Sequence, residues 1–211
     1  TVSDYDALKL FYVNQPYNLS IYSPASIIAW SNQIFRAHYT VVDGMLFVTC
    51  ETEQNPKDRH LILPVSNNGF CSPADLYRYA RKLGFERYWY APGDYLEVLN
   101  QSELEDLFVR EEQRAFDDYV YLTEDLIRLK GNKFSKKRNL INQFTREYLR
   151  HGRVQVESIG PESVEECLQF LDIWCEKHAC DTDQETNLAC EKNALITTIT
   201  NLIHLESNGI L

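Results

Sequence analysis

Leu129-Lys-Gly-Asn-Lys-Phe-Ser-Lys-Lys-Arg-Asn-Leu-Ile-Asn-Gln-Phe144, preceded by Asp118-Tyr-Val-Tyr-Leu122, is the most distinctive stretch of the chain. Gly131 interrupts the pattern, and a basic helix is predicted from Ser135 to His151, where Gly152 stops it. Leu140, Ile141, Phe144 and Tyr148 share one face by their three- and four-residue spacing, and Arg138, Asn142 and Arg146 fall toward the other. The expectation is a helix that packs by one face and presents cations on the other. From Arg128 to Arg153 the chain carries nine basic residues against one acidic residue, Glu147, a net charge of +8. The whole chain has a net charge of -10, so the remainder carries -18. An acidic body with one basic element marks that element as a place for an anion. The plainer reading is a solvated helix whose cations pair with the carboxylates around it.

Working outward, 211 residues with 44% hydrophobic and 12% aromatic content supply enough apolar material for a packed core. Eight Gly and seven Pro without a low-complexity tract argue against a collagen-like or disordered chain, and no apolar run is long enough to span a bilayer. Six cysteines are too few for a disulfide scaffold, and no basic-then-apolar leader precedes Thr1. The expectation is a cytoplasmic protein with reduced thiols, trimmed at its start because no initiator Met is present.

Toward the N-terminus, residues 5–15 read as a helix, and Ser23-Pro24 caps another that runs to Trp30. Tyr39 to Val42, the turn pair Asp43-Gly44 and Met45 to Thr49 predict a hairpin, with a third strand at His60 to Val65. A capped helix is predicted between Ser72 and Gly84, a strand at Arg87 to Ala91 and a short helix at 93–101. Further β-rich runs lie at Leu107 to Arg110 and Tyr119 to Leu122, and Thr123 is the expected cap of a short helix reaching Lys130. Toward the C-terminus, Val154 to Ile159 reads as a strand and Pro161 to Lys177 as a helix with Leu168, Leu171 and Trp174 inward. Glu185 to Glu206 reads as a second helix, and Asn208-Gly209 begins a further element. The order of helices and strands near residues 1–49 is echoed at 154–211.

The strand, the Leu-x-Gly turn and the Lys-Arg-Asn-x-x-Asn-x-Phe helix together resemble bacterial proteins related to the C-terminal domain of phosphatidylglycerol lysyltransferase. The resemblance extends through Trp174-Cys175, Glu191 and Ala194 and back to Trp30. It implies an α+β fold of two tandem acetyltransferase-like (GNAT) units, each a mostly antiparallel sheet flanked by helices. The first would occupy residues 1–153, and the start of the second residues 154–211. It further implies transfer of an acyl or aminoacyl group, from acyl-CoA or an aminoacyl-tRNA, to a lipid or other amine or hydroxyl acceptor. Lys137, Arg138, Asn139, Asn142 and Phe144 match the basic-helix motif, and Lys136 and Arg146 complete the candidate anion site. Ammonium and guanidinium groups neutralise phosphate oxygens, and the amides add donors and acceptors. The competing role for Arg138 and the two Asn is to lock the helix to nearby carbonyls. No glycine-rich loop of the Gly-x-Gly-x-x-Gly kind exists to cradle a pyrophosphate, so the usual mode of acetyl-CoA binding is not expected.

No catalytic residue and no metal site is assigned. Cys175, His178 and Cys180 do not match zinc spacings, and Cys167, Cys175 and Cys190 read as core residues. Asp117 and Asp118 are neighbours that point to opposite sides of a strand, and the five His residues are scattered. The aromatics at 88–90, 119 and 121 are expected in a core. The leading expectation is therefore an acyltransferase-like protein whose basic helix holds donor phosphates. Its rival is a non-catalytic module that grips tRNA or another polyanion by the same helix. Docking on an anionic membrane surface is a third reading, disfavoured by the -18 remainder.

Overall fold

A computed structural model of the chain describes residues 1–32, 35–52, 55–66, 69–180 and 188–207. They form a mixed α+β architecture with a small open antiparallel sheet, and gather into two compact units. The first comprises Thr1–Phe116 with Gly160–Ser207, and the second Asp117–Ile159.

In the first unit the hairpin forms as predicted. Strands β1 (Phe35–Val42) and β2 (Met45–Thr52) pair antiparallel with Val42 opposite Met45. Asp43 and Gly44 both take positive φ, 52° and 77°, which is the geometry of the tight primed turn. The third strand is much shorter than its sequence predicts. Only His60–Leu61, β3, joins the ladder, with Leu61 opposite Thr49.

Pairing resumes at Val65, which exchanges backbone hydrogen bonds with Leu46. From Thr49–Leu61 to Leu46–Val65 the sheet advances three residues on β2 and four on the facing chain, so one extra residue is inserted there. Pro64 lies in that insertion and has no N–H to give. The backbone groups freed by the bulge are taken by side chains. Leu63 N–H donates to the Tyr22 hydroxyl (3.2 Å), which donates onward to Tyr90 C=O (3.0 Å), and the Tyr17 hydroxyl donates to Pro64 C=O (2.9 Å). Burial pushes both phenols far above the usual tyrosine range, so they stay protonated donors.

Among the described residues the segment 87–91 pairs with the sheet's backbone where Leu61 N–H donates to Arg87 C=O and Trp89 N–H to Leu61 C=O, a single parallel bridge at Leu61–Tyr88. Tyr90 then adopts φ 56° and turns the chain away, which is why the expected strand is not made. Between the two parallel segments crosses α3 (Pro73–Leu83), capped as predicted. The Ser72 hydroxyl accepts from Asp75 N–H (3.1 Å), and Gly84 closes the helix at φ 77°.

Two short helices follow, α4 (Gly93–Val98) and α5 (Gln101–Leu107), while Leu107 to Arg110 makes no strand. Helices α1 (Tyr5–Tyr12) and α2 (Pro24–Trp30), the latter capped by Ser23, cover the sheet face that carries Leu46, Val48, Ile62 and Val65. Near the end of the unit, α8 (Val164–His178) buries Cys167, Leu171 and Cys175, the last two in a small cluster with Leu188 and Ile196 of α9 (Leu188–Thr200). Residues 185–187 and 208–209 lie outside the described set. Trp174, expected inward, instead lies at the surface, stacked on His178 at 4.2 Å, because the buried stripe runs through the small cysteines.

Two tests follow. Tyr22→Phe leaves the buried Leu63 N–H and the half-buried Tyr90 C=O without the hydroxyl that serves both. It should cost about 1–3 kcal/mol in chemical denaturation, and a loss below about 0.5 kcal/mol would refute the role given to the hydroxyl. The second concerns pH. His60 is buried, its Nδ1 lies 2.7 Å from Asp58 C=O, and its Nε2 has no partner among the described residues. Desolvation holds its pKa below the usual 6.5, so the unfolded chain takes up a proton first and stability falls as pH drops below that value. Burial pushes the thiols the other way, Cys71 to about 11 and Cys50 to about 12 from 9.0. Stability is therefore also lost as pH rises from about 9 through those values. Midpoints measured across pH should form a plateau with both shoulders, and His60→Phe should flatten the acid one.

Candidate functional site

The candidate residues lie in the second unit, whose local structure begins with residues 119–122. These are exposed, Tyr119 at 89%, and form no strand, since no ladder partner is offered to them among the described residues. Helix α6 (Thr123–Arg128) starts without a side-chain cap, contrary to the expectation for Thr123, and ends two residues early because Leu129 turns into the left-handed region at φ 46°. Gly131, at φ 89°, completes the break, and α7 (Ser135–Glu147) follows a short 3-10 turn at Asn132–Phe134. A second 3-10 turn, Leu149–His151, carries the helical path to Gly152 at φ 63°, close to the predicted stop.

The faces of α7 are reversed from the prediction. Leu140, Ile141, Phe144 and Tyr148, expected to pack, are 62%, 52%, 42% and 41% exposed. The partly shielded side is the polar one, with Arg138 and Thr145. The cause is local: Arg138 Nη1 donates to Leu129 C=O and to Gly131 C=O (2.8 Å), tying the helix to the turn before it. Carbonyls freed where a helix ends are strong acceptors, and a guanidinium reaches two at once. Arg138 thus serves the locking role that the sequence left open beside anion binding. For Asn139 and Asn142 no carbonyl partner is present among the described residues, and both are exposed.

The cations divide into two sets. Arg128 pairs with Glu124, Lys133 with Asp125 (3.6 Å) and Arg146 with Glu147 (3.3 Å), all at the surface, where such pairs contribute little. Lys130, Lys136, Lys137, Arg150 and Arg153 have side-chain heads without an ion pair or hydrogen bond among the described residues. Lys136 and Lys137 stand at the start of α7, where the helix dipole adds to their attraction for an anion. Arg146 lines an open cleft with Glu147, Tyr148, His151 and Arg153. His151, Arg153 and Tyr148 were absent from the predicted site; the Gly152 stop signal, which folds the chain back there, was the feature that could have placed them.

Elsewhere the described residues contain no group of three His, Cys, Asp or Glu placed to hold a metal. Cys175 and Cys180 are buried and His178 is exposed, and Asp117 and Asp118 are exposed. Among the described residues no helix is long and apolar enough to cross a membrane.

The fold and the site together define an α+β scaffold that carries an exposed basic helix in an otherwise acidic chain. More particularly, residues 76–206 match the family described as phosphatidylglycerol lysyltransferase, C-terminal, and the chain belongs to that family. A solved structure, a conserved protein of unknown function from Bacteroides thetaiotaomicron, is similar at 26% identity with a TM-score of 0.79. The similarity covers all of this chain and 69% of that one. No curated protein matches the chain.

Arg138→Ala should loosen the α6–α7 turn, at a cost of about 1 kcal/mol for bonds to a partly exposed group, and Arg138→Lys should recover only part of it because the lysine ammonium ends short of the Nη1 position that donates both bonds. Amide hydrogen exchange along α7 is the measurement. Unchanged protection in the alanine variant would contradict the assignment.

Proposed function

We propose that the chain is part of an acyl- or aminoacyltransferase in which Lys136, Lys137 and Arg146 of α7, with Asn139 and Asn142, hold the phosphates of the acyl donor. The observation that carries this reading is the two lysines without an ion pair, Lys136 and Lys137, on an exposed helix in a chain of net charge -10, within the family that residues 76–206 match. Had the chain's own carboxylates neutralised them, no ligand would be called for.

The donor in this reading is an aminoacyl-tRNA or an acyl-CoA, and the acceptor a lipid or other amine or hydroxyl. The reaction is direct attack of the acceptor on the ester or thioester carbonyl, where positioning of the two reactants provides most of the acceleration. The donor phosphates fit the residues present: ammonium, guanidinium and amide groups on one helix, with no metal required to bind them. The finer fold reading, an acetyltransferase-like unit within residues 1–153 and the start of a second from residue 154, belongs to the same proposal. The parallel crossover through α3 supports it for the first unit. That unit departs from the acetyltransferase pattern in one respect: Ser72-Pro73-Ala74-Asp75 opens α3 in place of a glycine-rich loop. The tyrosine hydroxyls at the bulge also occupy the backbone groups between the two parallel segments. In this reading donor recognition therefore falls to α7.

The double change Lys136→Ala, Lys137→Ala should weaken binding of a short single-stranded RNA and lower the slope of log affinity against log salt by roughly 1.4, about 0.7 per phosphate contact. A slope unchanged from wild type removes the helix from donor binding. A donor screen with radiolabelled aminoacyl-tRNAs and acyl-CoAs tests the transfer itself. Retention of label with no transfer to any acceptor would favour the non-catalytic polyanion module.

A further inference from the structure

The last turn of α7 and the 3-10 turn after it build a second feature. Tyr148 N–H donates to Phe144 C=O (2.9 Å), His151 N–H (3.3 Å) and Arg153 N–H (3.1 Å) both donate to Tyr148 C=O, and Gly152 N–H donates to Leu149 C=O (3.1 Å). These bonds occupy the carbonyls of Phe144, Tyr148 and Leu149 around the end of the helix. With Gly152 in the left-handed region, they also fold Arg153 back beside Tyr148. The result is an open cleft of about 440 Å³ lined by Arg146, Glu147, Tyr148, His151 and Arg153. That volume lies within the range of small-ligand sites.

Two chemistries meet in this cleft. One is cationic: the guanidiniums of Arg146 and Arg153, with the imidazole of His151 beside them, against a single carboxylate, Glu147, which pairs with Arg146 at 3.3 Å. Arg153 has no side-chain partner among the described residues. The other is aromatic. Tyr148 is stacked on Phe144, with ring centroids 5.4 Å apart and planes 26° from parallel, and both rings are exposed. A rigid, backed aromatic face beside two guanidiniums is what a nucleotide requires, with the base laid on the ring and the phosphate taken by the forked cations.

We infer that this cleft binds a phosphorylated adenosine, the base on Tyr148 and the phosphate between Arg146 and Arg153. The inference deepens the donor reading above and rests on it for the choice of base, since acyl-CoA and the 3′-end of an aminoacyl-tRNA both present adenosine bearing a phosphate ester. Arg153, His151 and Tyr148 thereby join the site, and Glu147 acts as a competing internal anion that the phosphate displaces from Arg146.

The test is calorimetric titration of the 211-residue chain with adenosine 3′,5′-bisphosphate. Wild type should bind. Arg146→Ala and Arg153→Ala should each weaken binding about tenfold or more, Tyr148→Ala by a similar factor, and Glu147→Gln should tighten it several-fold. The tightening is a gain that misfolding cannot imitate. Arg128→Ala, whose partner is Glu124, should stay within about twofold. Competition then separates the sources: displacement by coenzyme A identifies a thioester donor, and displacement by a short RNA ending in CCA identifies a tRNA end. Absence of wild-type binding, wild-type affinity retained in the Arg146 and Arg153 variants, or displacement by neither competitor overturns the inference. If binding is lost only in the Lys136→Ala, Lys137→Ala protein, the cleft is excluded while the donor reading of α7 stands.

Discussion

The first unit is organised by a peptide defect and its repair. One residue too many between Leu61 and Val65, with a proline among the extra length, breaks the sheet's ladder in the middle of the core. Backbone groups left buried without partners would cost more than most side-chain contacts return. Tyr17 and Tyr22 resolve this by lending phenol oxygens as surrogate backbone groups, and their rings, 4.3 Å apart, fill the volume that a continuous strand would have occupied. Tyr95 meets Tyr17 edge-on at 5.3 Å and donates its hydroxyl to Cys71 C=O (3.1 Å), extending the same device to the entry of α3. The three hydroxyls thus tie the bulge at Leu63–Pro64 to Tyr90 and hold the residue before the entry of α3.

The second unit is organised by the opposite economy. None of the residues 117–159 is buried, and its order comes from Arg138 holding two carbonyls and from carbonyls capped around Gly152. Because the guanidinium turns the polar side of α7 toward the preceding turn, the apolar residues and the neighbouring lysines share the open side. The result is an exposed apolar stripe bordered by lysines that make no ion pair among the described residues.

How far the sequence disclosed this depended on whether the signal was local. The Asp43-Gly44 turn, the Ser23 and Ser72 caps, and the Gly84 and Gly152 stops each rest on one residue's conformational preference, and each appears where predicted. The β-rich runs at 107–110 and 119–122 misled because strand formation needs an edge to pair with, and propensity carries no information about that edge. The bulge was hidden for a similar reason: Pro64 hinted at it, but only the register reveals the extra residue. At the candidate site the charge excess was legible by counting. The orientation of α7 was not, because amphipathic spacing says which residues share a face and leaves open which way that face looks. Arg138 decided it, through a contact with carbonyls that only the folded turn exposes. The family resemblance drawn from the helix motif agrees with the match over residues 76–206.

That residues 117–159 include no buried position bears on how long the proposed guest would stay. A pocket walled by tightly packed side chains must break open before it lets go, whereas a grip made at the surface by solvated guanidinium groups and one aromatic plate has no such gate. Such a grip favours rapid exchange over long residence, and ionic strength tunes it directly. Under the proposed reading, that suits a carrier that has to leave, spent, before the next can arrive.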